Sequence, residues 1–184
     1  HGFSGALYPV NPKRQRVGGL ECHPNLESVP GPIDLAVLAV PAAAIPGVFA
    51  AMPEGHVRIA QVMTSGFAEL DEEGADLEHE MIAAARAKGV RIVGPNSVGT
   101  ANLWSGVVPS FSQFFDRTGL TPGEVALVSQ SGAFGTAILA GAEQAGIRFG
   151  HFVSSGNETD LEFCDFGRHL LEQERVKAVC GYIE

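Results

Sequence analysis

Wherever an apolar run of this chain stops, hydroxyls, amides and glycines follow. The sharpest case is Ser129-Gln130-Ser131-Gly132, which closes the run VALV and opens the small-residue segment GAFGTAILAGAEQ. A helix that starts there leaves its first N–H groups without intrahelical partners, and its dipole favours negative charge. The chemistry on offer is phosphate or carboxylate binding. Ser131 acting only as an N-cap, worth about 1 kcal/mol, accounts for the same residues equally well. Gly132 and Gly135 let the backbone approach something closely.

Other run ends have the same character. Gly94-Pro95-Asn96-Ser97-x-Gly99 fixes a turn and presents in Asn96 both a donor and an acceptor, although an Asn can also close its own turn. Thr64-Ser65-Gly66-Phe67 offers small polar groups, and Ala39-Val40-Pro41 a bare apolar edge. Together they can line a groove for an extended ligand; singly, each reads as a plain turn. Pro9-Val10-Asn11-Pro12-Lys13 puts a cation past an apolar run, and with Arg14 and Arg16 it makes the tight basic cluster KRQR. That cluster either holds a nucleotide phosphate or is a solvated loop. In Ser155-Gly156-Asn157-Glu158-x-Asp160, Asp160 reads as an N-cap, while Asn157 and Glu158 can reach toward a site. No dinucleotide fingerprint G-x-G-x-x-G and no Walker A motif occur, and none of the six His stands in a metal-spaced pair.

These turns need elements to hold them. Ala6 to Val10, Ile33 to Val40, Ile59 to Met63 and Val90 to Val93 read as strands, with helices over Ala43 to Met52 and Glu72 to Lys88. Acids early in the second helix and Lys88-Gly89 at its end fit dipole and C-cap rules. Residues 98–122 break the rhythm as a connecting excursion, with a short strand expected near Val107-Val108. The alternation then resumes: strand Glu124 to Val128, helix Gly132 to Gln144, strand Phe149 to Val153, helix Asp160 to Gln173, strand Val176 to Ile183. Strand–helix alternation predicts an α/β protein of two consecutive doubly wound parallel-sheet domains, divided at 121/122. In such sheets ligands lie beyond the carboxyl ends of the strands, where the polar turns fall.

Composition narrows the partners. Among 184 residues, 45% are hydrophobic and 18% charged, and the net charge is −9. That balance argues against nucleic acid, which requires a clustered basic surface. No apolar stretch is long enough to span a membrane, and no signal peptide is visible. Three widely spaced Cys form neither a disulfide framework nor a C-x-x-C site, which makes a reducing cytoplasm the expected compartment. A start at His1 and an end at Glu184, both inside structural units, read as a fragment of a longer polypeptide.

The ordered set YPVNPK, AVPA, SGFAE, GPNSVG, SQSGAFG, SSGNETD and YIE resembles the NDP-forming acyl-CoA synthetase family. That family includes ADP-forming acetyl-CoA synthetases and, more distantly, the α subunit of succinyl-CoA synthetase. Seven matches in family order cover nearly the whole chain, which no single motif could match in specificity. The resemblance implies a CoA-binding Rossmann-like domain over 1–121, lacking its first strand and Gly-rich turn. A flavodoxin-like ligase domain over 122–184, incomplete at its far end, would follow. It implies the reaction acyl-CoA + ADP + phosphate ⇌ carboxylate + ATP + CoA, through an acyl phosphate and a phosphohistidine. By resemblance Asn11 and Lys13 lie near the CoA adenine nucleotide, and Val40, Pro41, Ser65, Gly66 and Asn96 line the CoA path. Ser129, Ser131 and Gly132 match the helix start that binds phosphate beside the thioester, and Asn157 and Glu158 a neighbouring loop. Glu184 matches the glutamate that orients the phosphohistidine. That histidine, and the ATP-grasp domain or subunit that would bind ATP/ADP and Mg2+, are expected outside this chain. A small carboxylic acid is the expected acyl donor, and an oligomer the expected assembly. Phe111, Phe114, Phe115 and Phe134 are candidates for the acyl pocket, with core or interface packing as the plainer expectation. Two competing readings are a CoA- or nucleotide-sensing module of a lysine acetyltransferase fusion and an unrelated doubly wound oxidoreductase.

Overall fold

The computed structural model describes every residue, His1–Glu184. It opens with a short antiparallel hairpin, β1 (Arg16–Val17) and β2 (Leu20–Glu21), turned by Gly18-Gly19 with φ of 58° and 83°. Positive φ at both central residues suits a two-residue hairpin turn. The KRQR cluster is exposed and runs from the Asn11 turn into this hairpin at Arg16. The expected strand at Ala6 to Val10 does not form; its pairing is a single bridge from Val10 to His23. Leu7 and Tyr8 stay 63% and 41% exposed, so the apolar run has no sheet to join.

The first sheet holds β3 (Ile33–Leu38), β4 (Val57–Val62) and β5 (Arg91–Val93), all parallel, in the order β3-β4-β5. Helix α1 (Ile45–Ala51) connects β3 to β4, and α2 (Glu72–Ala87) connects β4 to β5. Asp71 caps α2 by accepting from the Gly74 N–H at 2.8 Å. Ile45, Phe49, Met81 and Ala85 of the helices share one core with Ala36, Leu38, Ala60, Val62 and Ile92 of the strands.

The second sheet holds β6 (Thr100–Asn102), β7 (Val125–Ser129), β8 (Phe149–Ser154) and β9 (Ala178–Tyr182), in the order β6-β8-β7-β9. β7 pairs in parallel with β8 and β9, while β6 runs antiparallel to β8. Helices α3 (Gly132–Gln144) and α4 (Phe163–Leu171) pack into separate clusters, one around Leu127, Leu139 and Phe152, the other around Val128, Leu170 and Val176.

Two features depart from the sequence reading. Thr100–Asn102, expected in a connecting excursion, is a strand of the second sheet, and Val107 contributes only a bridge to Asn102. Helix α4 begins at Phe163 rather than Asp160; its N-cap is Glu162, in a capping box with Asp165. The reason is tertiary. Asn157, Thr159 and Leu161 donate their N–H groups to the carbonyls of Pro95, Gly94 and Ile92, at 3.0, 3.3 and 3.2 Å. The Asp160 carboxylate accepts from the Ile92 N–H and from Arg91 Nε, each at 2.8 Å. This hydrogen bond holds the Arg91 guanidinium further toward its charged form. Residues 157–161 are therefore bonded to the end of β5 and the turn after it, where helical geometry would forfeit these bonds.

Candidate functional site

The carboxyl ends of the strands supply the site. In the first sheet Val40 and Pro41 leave β3 as an exposed apolar edge, and the Thr64 hydroxyl donates to the Val40 carbonyl at 2.7 Å. Ser65 is exposed and Gly66 has φ +103°, so the turn after β4 presents backbone rather than side chain. Asn96, exposed at φ 57° after β5, is anchored by its N–H to the Thr64 carbonyl at 2.9 Å. Val40, Pro41, Ser65, Gly66 and Asn96 thus lie along one edge, tied turn to turn.

In the second sheet the N–H groups of Ser131, Gly132 and Ala133 have no protein acceptor. Ser131 Oγ accepts from the Phe134 N–H at 3.3 Å, and Ser129 Oγ donates to the Ser131 carbonyl at 2.6 Å. The N-cap forms, and it uses one N–H while three others stay without a protein acceptor. A Cβ on Gly132 would sit 2.4 Å from Val98 Cγ1. The close approach there is to the GPNSVG turn, which seats the helix start beside the first sheet.

The loop after β8 closes against the same turn. The Ser155 N–H donates to the Ser129 carbonyl at 2.9 Å, and the Ser155 hydroxyl to Glu158 at 2.6 Å, with Glu158 at φ 57°. Gly156 (φ +64°) passes so near the Pro95 carbonyl that an added Cβ would lie 2.0 Å from its oxygen. The Glu184 N–H donates to Gln130 Oε1 at 2.8 Å, which brings the end of β9 to the Ser129–Ser131 turn. Ser129, Ser131, Gly132, Glu158 and Glu184 are gathered at one sheet end.

Asn157 bridges the two groups. Its side-chain N–H2 donates to Glu69 at 2.6 Å and Glu78 at 3.1 Å, and its oxygen accepts from Asn96 at 3.4 Å. Glu69 also accepts from the N–H groups of Gly66 (2.6 Å) and Phe67 (3.2 Å). Burial alone pushes the Glu69 carboxyl up, but the bonds from Asn157, Gly66 and Phe67 outweigh it and hold the group below the usual carboxylate range. The sequence reading passed over Glu69 and Glu78, although Glu69 ends the quoted SGFAE motif. Their partners are 88 and 79 residues away, a separation that no local pattern encodes.

Asn11 and Lys13 are not brought into this constellation by any hydrogen bond. Asn11 Oδ1 accepts from the N–H groups of Lys13 and Arg14 at 2.9 and 3.1 Å, closing its own turn, and Lys13 is exposed without an ion-pair partner. Phe114 and Phe115 lie at the opposite end of the second sheet, lining a cavity of about 240 Å3 with Leu103, Ile147 and Phe149. That cavity lies at the amino end of β8, away from the strand-end turns. Phe134, 49% exposed, stacks on Tyr182 at 4.4 Å beside the open N–H groups; Phe111 is 62% exposed.

This geometry, two α/β units whose strand-end turns meet at the GPNSVG segment, has counterparts among known proteins. The family of CoA binding domains matches residues 3–102, and the succinyl-CoA ligase like flavodoxin domain matches residues 122–184. The chain belongs to the CoA-binding domain family, and its second part is a succinyl-CoA-ligase-type flavodoxin-like domain. It aligns over 99% of its length, at 36% identity, with ADP-forming acetate–CoA ligase I of Archaeoglobus fulgidus, covering 26% of that protein. It aligns over 98%, at 35% identity, with the α subunit of ADP-forming acetate–CoA ligase II of Pyrococcus furiosus, covering 38%. Its backbone superposes with a TM-score of 0.91, at 32% identity, on a dinucleotide-forming acetyl-coenzyme A synthetase 1 of Ca. Korarchaeum cryptofilum solved with phosphate and ADP. That match covers 100% of this chain and 38% of the other. The chain thus spans between about a quarter and two-fifths of these relatives and corresponds to their CoA-binding α portion. No helix is long and apolar enough to cross a membrane.

Proposed function

We propose that this chain is the CoA-binding and phosphate-binding part of an ADP-forming acyl-CoA synthetase, an acid–thiol ligase. The reaction interconverts acyl-CoA, ADP and phosphate with carboxylate, ATP and CoA. The single observation that supports the reading is the start of α3, where three N–H groups without a protein acceptor lie beside the GPNSVG turn that ends the first sheet. CoA would supply the thioester. Val40 and Pro41 would take its apolar arm, and Ser65, Gly66, Asn96 and Ser129 its polar groups. Asn11 and Lys13 fit this less directly, since Asn11 closes its own turn; Lys13 alone has a free charge to offer a nucleotide phosphate.

The N–H groups of Ser131, Gly132 and Ala133 are fixed donors that would hold phosphate for attack on the thioester carbonyl and stabilise the charge that develops. Glu158, held by Ser155, and Glu184, held through its backbone by Gln130, stand beside that position. Glu184 would orient the histidine that receives the phosphoryl group. The histidine, and an ATP-grasp domain or subunit with its ATP or ADP and Mg2+, would come from outside these residues, in an oligomeric cytoplasmic enzyme acting on a small carboxylic acid. The test is to incubate the full-length protein, with any partner subunit, with ATP labelled at its γ-phosphate. Acid-labile, base-stable label on protein that disappears on adding CoA and a carboxylic acid is the expected result. No label, together with a CoA-dependent rise in melting temperature, would leave a binding module and sink the catalytic assignment.

A further inference from the structure

The turn after β4 and the loop after β8 belong to different sheets, yet two carboxylates, Glu69 and Glu78, tie them together, and Glu69 alone of the two holds Gly66. Glu69 accepts from the backbone N–H groups of Gly66 and Phe67 on one side and from the Asn157 side chain on the other. Glu78 also reaches Asn157, but its further bonds go to the Ala68 N–H and the Thr159 hydroxyl, not to the turn residues Ser65 and Gly66. Asn157 in turn is fixed through its N–H to the Pro95 carbonyl. Gly156 is wedged against Pro95, and Ser155 bonds the Ser129 carbonyl. A continuous chain of contacts therefore runs from Gly66 through Glu69, Asn157 and Ser155 to Ser129, at the foot of the anion-accepting helix start.

We infer that Glu69 is a positioning residue: it touches neither phosphate nor the reacting atoms, but sets the spacing between the CoA-side turn and the phosphate-side loop by holding Asn157. The inference rests on the functional reading above. Its chemical basis is that a carboxylate can accept three N–H bonds at once, whereas an amide in the same place must present N–H2 to one of the donors. Misplacement of bound groups by a fraction of an ångström to an ångström is enough to slow a bimolecular step markedly. The three donors also hold the carboxyl below its usual range.

The test compares Glu69→Gln, Asn157→Ala and the double variant in the full-length protein, with KM for CoA, KM for inorganic phosphate and kcat read separately. Glu69→Gln is expected to raise KM for phosphate, a ligand Glu69 does not touch, by about fivefold or more, and KM for CoA as well. In the Asn157→Ala background the phosphate effect of Glu69→Gln should shrink to within about twofold, because the path is already cut, while the CoA effect persists. Glu69→Asp, which keeps the charge but shortens the reach, should raise KM for phosphate less than Glu69→Gln. Melting temperatures establish that each variant is folded. Phosphate KM unchanged within about twofold in Glu69→Gln, or effects that multiply in the double variant, would overturn the inference while leaving the synthetase reading intact. Wild-type protein that neither binds CoA nor consumes phosphate would overturn that reading, and this inference with it.

Discussion

Val128 of β7 is fully buried, packed with Leu170 of α4, whereas Val37 of β3 keeps 42% of its surface exposed. The runs that contain them, VALVS and IDLAVL, look alike on paper. The difference lies in what covers each sheet. Helices α1 and α2 share a single core against one face of the first sheet, while α3 and α4 bury residues from two separate clusters of the second. On the uncovered side of the first sheet Ile59 is 36% exposed, and the next residue on that face is Gln61, fully buried under the segment that leads to the second sheet. An apolar run thus reports that a strand tolerates burial, not how many layers cover it. The first sheet is left with an open edge and a partly open face, the second with a two-sided frame behind the Ser129–Ser131 turn.

The sharpest way to break this comparison is to place the same charge in both runs. Val128→Asp should cost more than about 4 kcal/mol, because an unpaired carboxylate is forced into a dry core. Val37→Asp should cost less than about 1 kcal/mol, as at other surface positions. Urea denaturation of the two variants measures this directly; equal losses would mean that the first sheet is covered on both faces in solution.

A smaller effect is expected at the joint between the sheets. Gln61 donates to the Pro109 carbonyl at 2.7 Å and accepts from the Thr100 hydroxyl at 2.8 Å. Gln61→Leu leaves the Thr100 hydroxyl without its acceptor, while the Pro109 carbonyl keeps the Thr100 N–H at 3.2 Å, and should cost about 1–3 kcal/mol in the same assay. A neutral or stabilising result would show that the segment 98–112 does not depend on the first sheet.

Removing the cap of α3 tests the second frame more gently. Ser131→Ala should lose about 1 kcal/mol, since the Phe134 N–H loses its acceptor. A comparison with Asp71→Ala at the start of α2, where the cap bond is 2.8 Å rather than 3.3 Å, should show a loss at least as large in the first unit. The reverse order would place the stiffer helix start in the second.

The smallest effect is one of pH. His151 of β8 is desolvated, and its Nδ1 is buried without a partner. Burial, with a lesser contribution from the nearby His169, lowers its pKa below the ordinary 6.5. Between that lowered value and 6.5 the unfolded chain binds more protons than the folded one, so stability falls as pH drops through this window and levels off below it. His151→Leu should remove this slope from a series of melting curves between pH 7 and pH 5 without loss of stability at pH 7, since an orphaned polar atom is exchanged for an apolar group. An unchanged slope would assign the proton uptake to another group.

Much of this was legible in the residues themselves. Helix α3 occupies Gly132–Gln144 as its small-residue run and Ser131 cap predicted, and α2 follows its early acids and Lys88-Gly89, while its Asp71 cap emerges only in the structure. The strand-end placement of Ser65, Gly66, Asn96, Ser129 and Ser131 also follows, because the switch from apolar run to Gly, Ser and Asn marks where a strand must stop. Ala6–Val10 did not follow, since a strand exists only where another edge accepts its hydrogen bonds. Nor did the start of α4: Asp160 has the residue type of an N-cap, but its carboxylate is taken by Ile92 and Arg91.

By itself, then, the sequence determined the alternation of strands and helices, the turns that end each strand and the donors they can offer, because these depend on neighbours within a few residues. Only the tertiary structure decided that Thr100–Asn102 joins the second sheet, that residues 157–161 bond to the end of β5 and the turn after it, and that Glu69 and Asn157, 88 positions apart, share a hydrogen bond. Those outcomes depend on which surfaces meet when two sheets close on one another. That choice is made by burial and by the satisfaction of every buried N–H and carbonyl across the whole chain, and no local pattern specifies it.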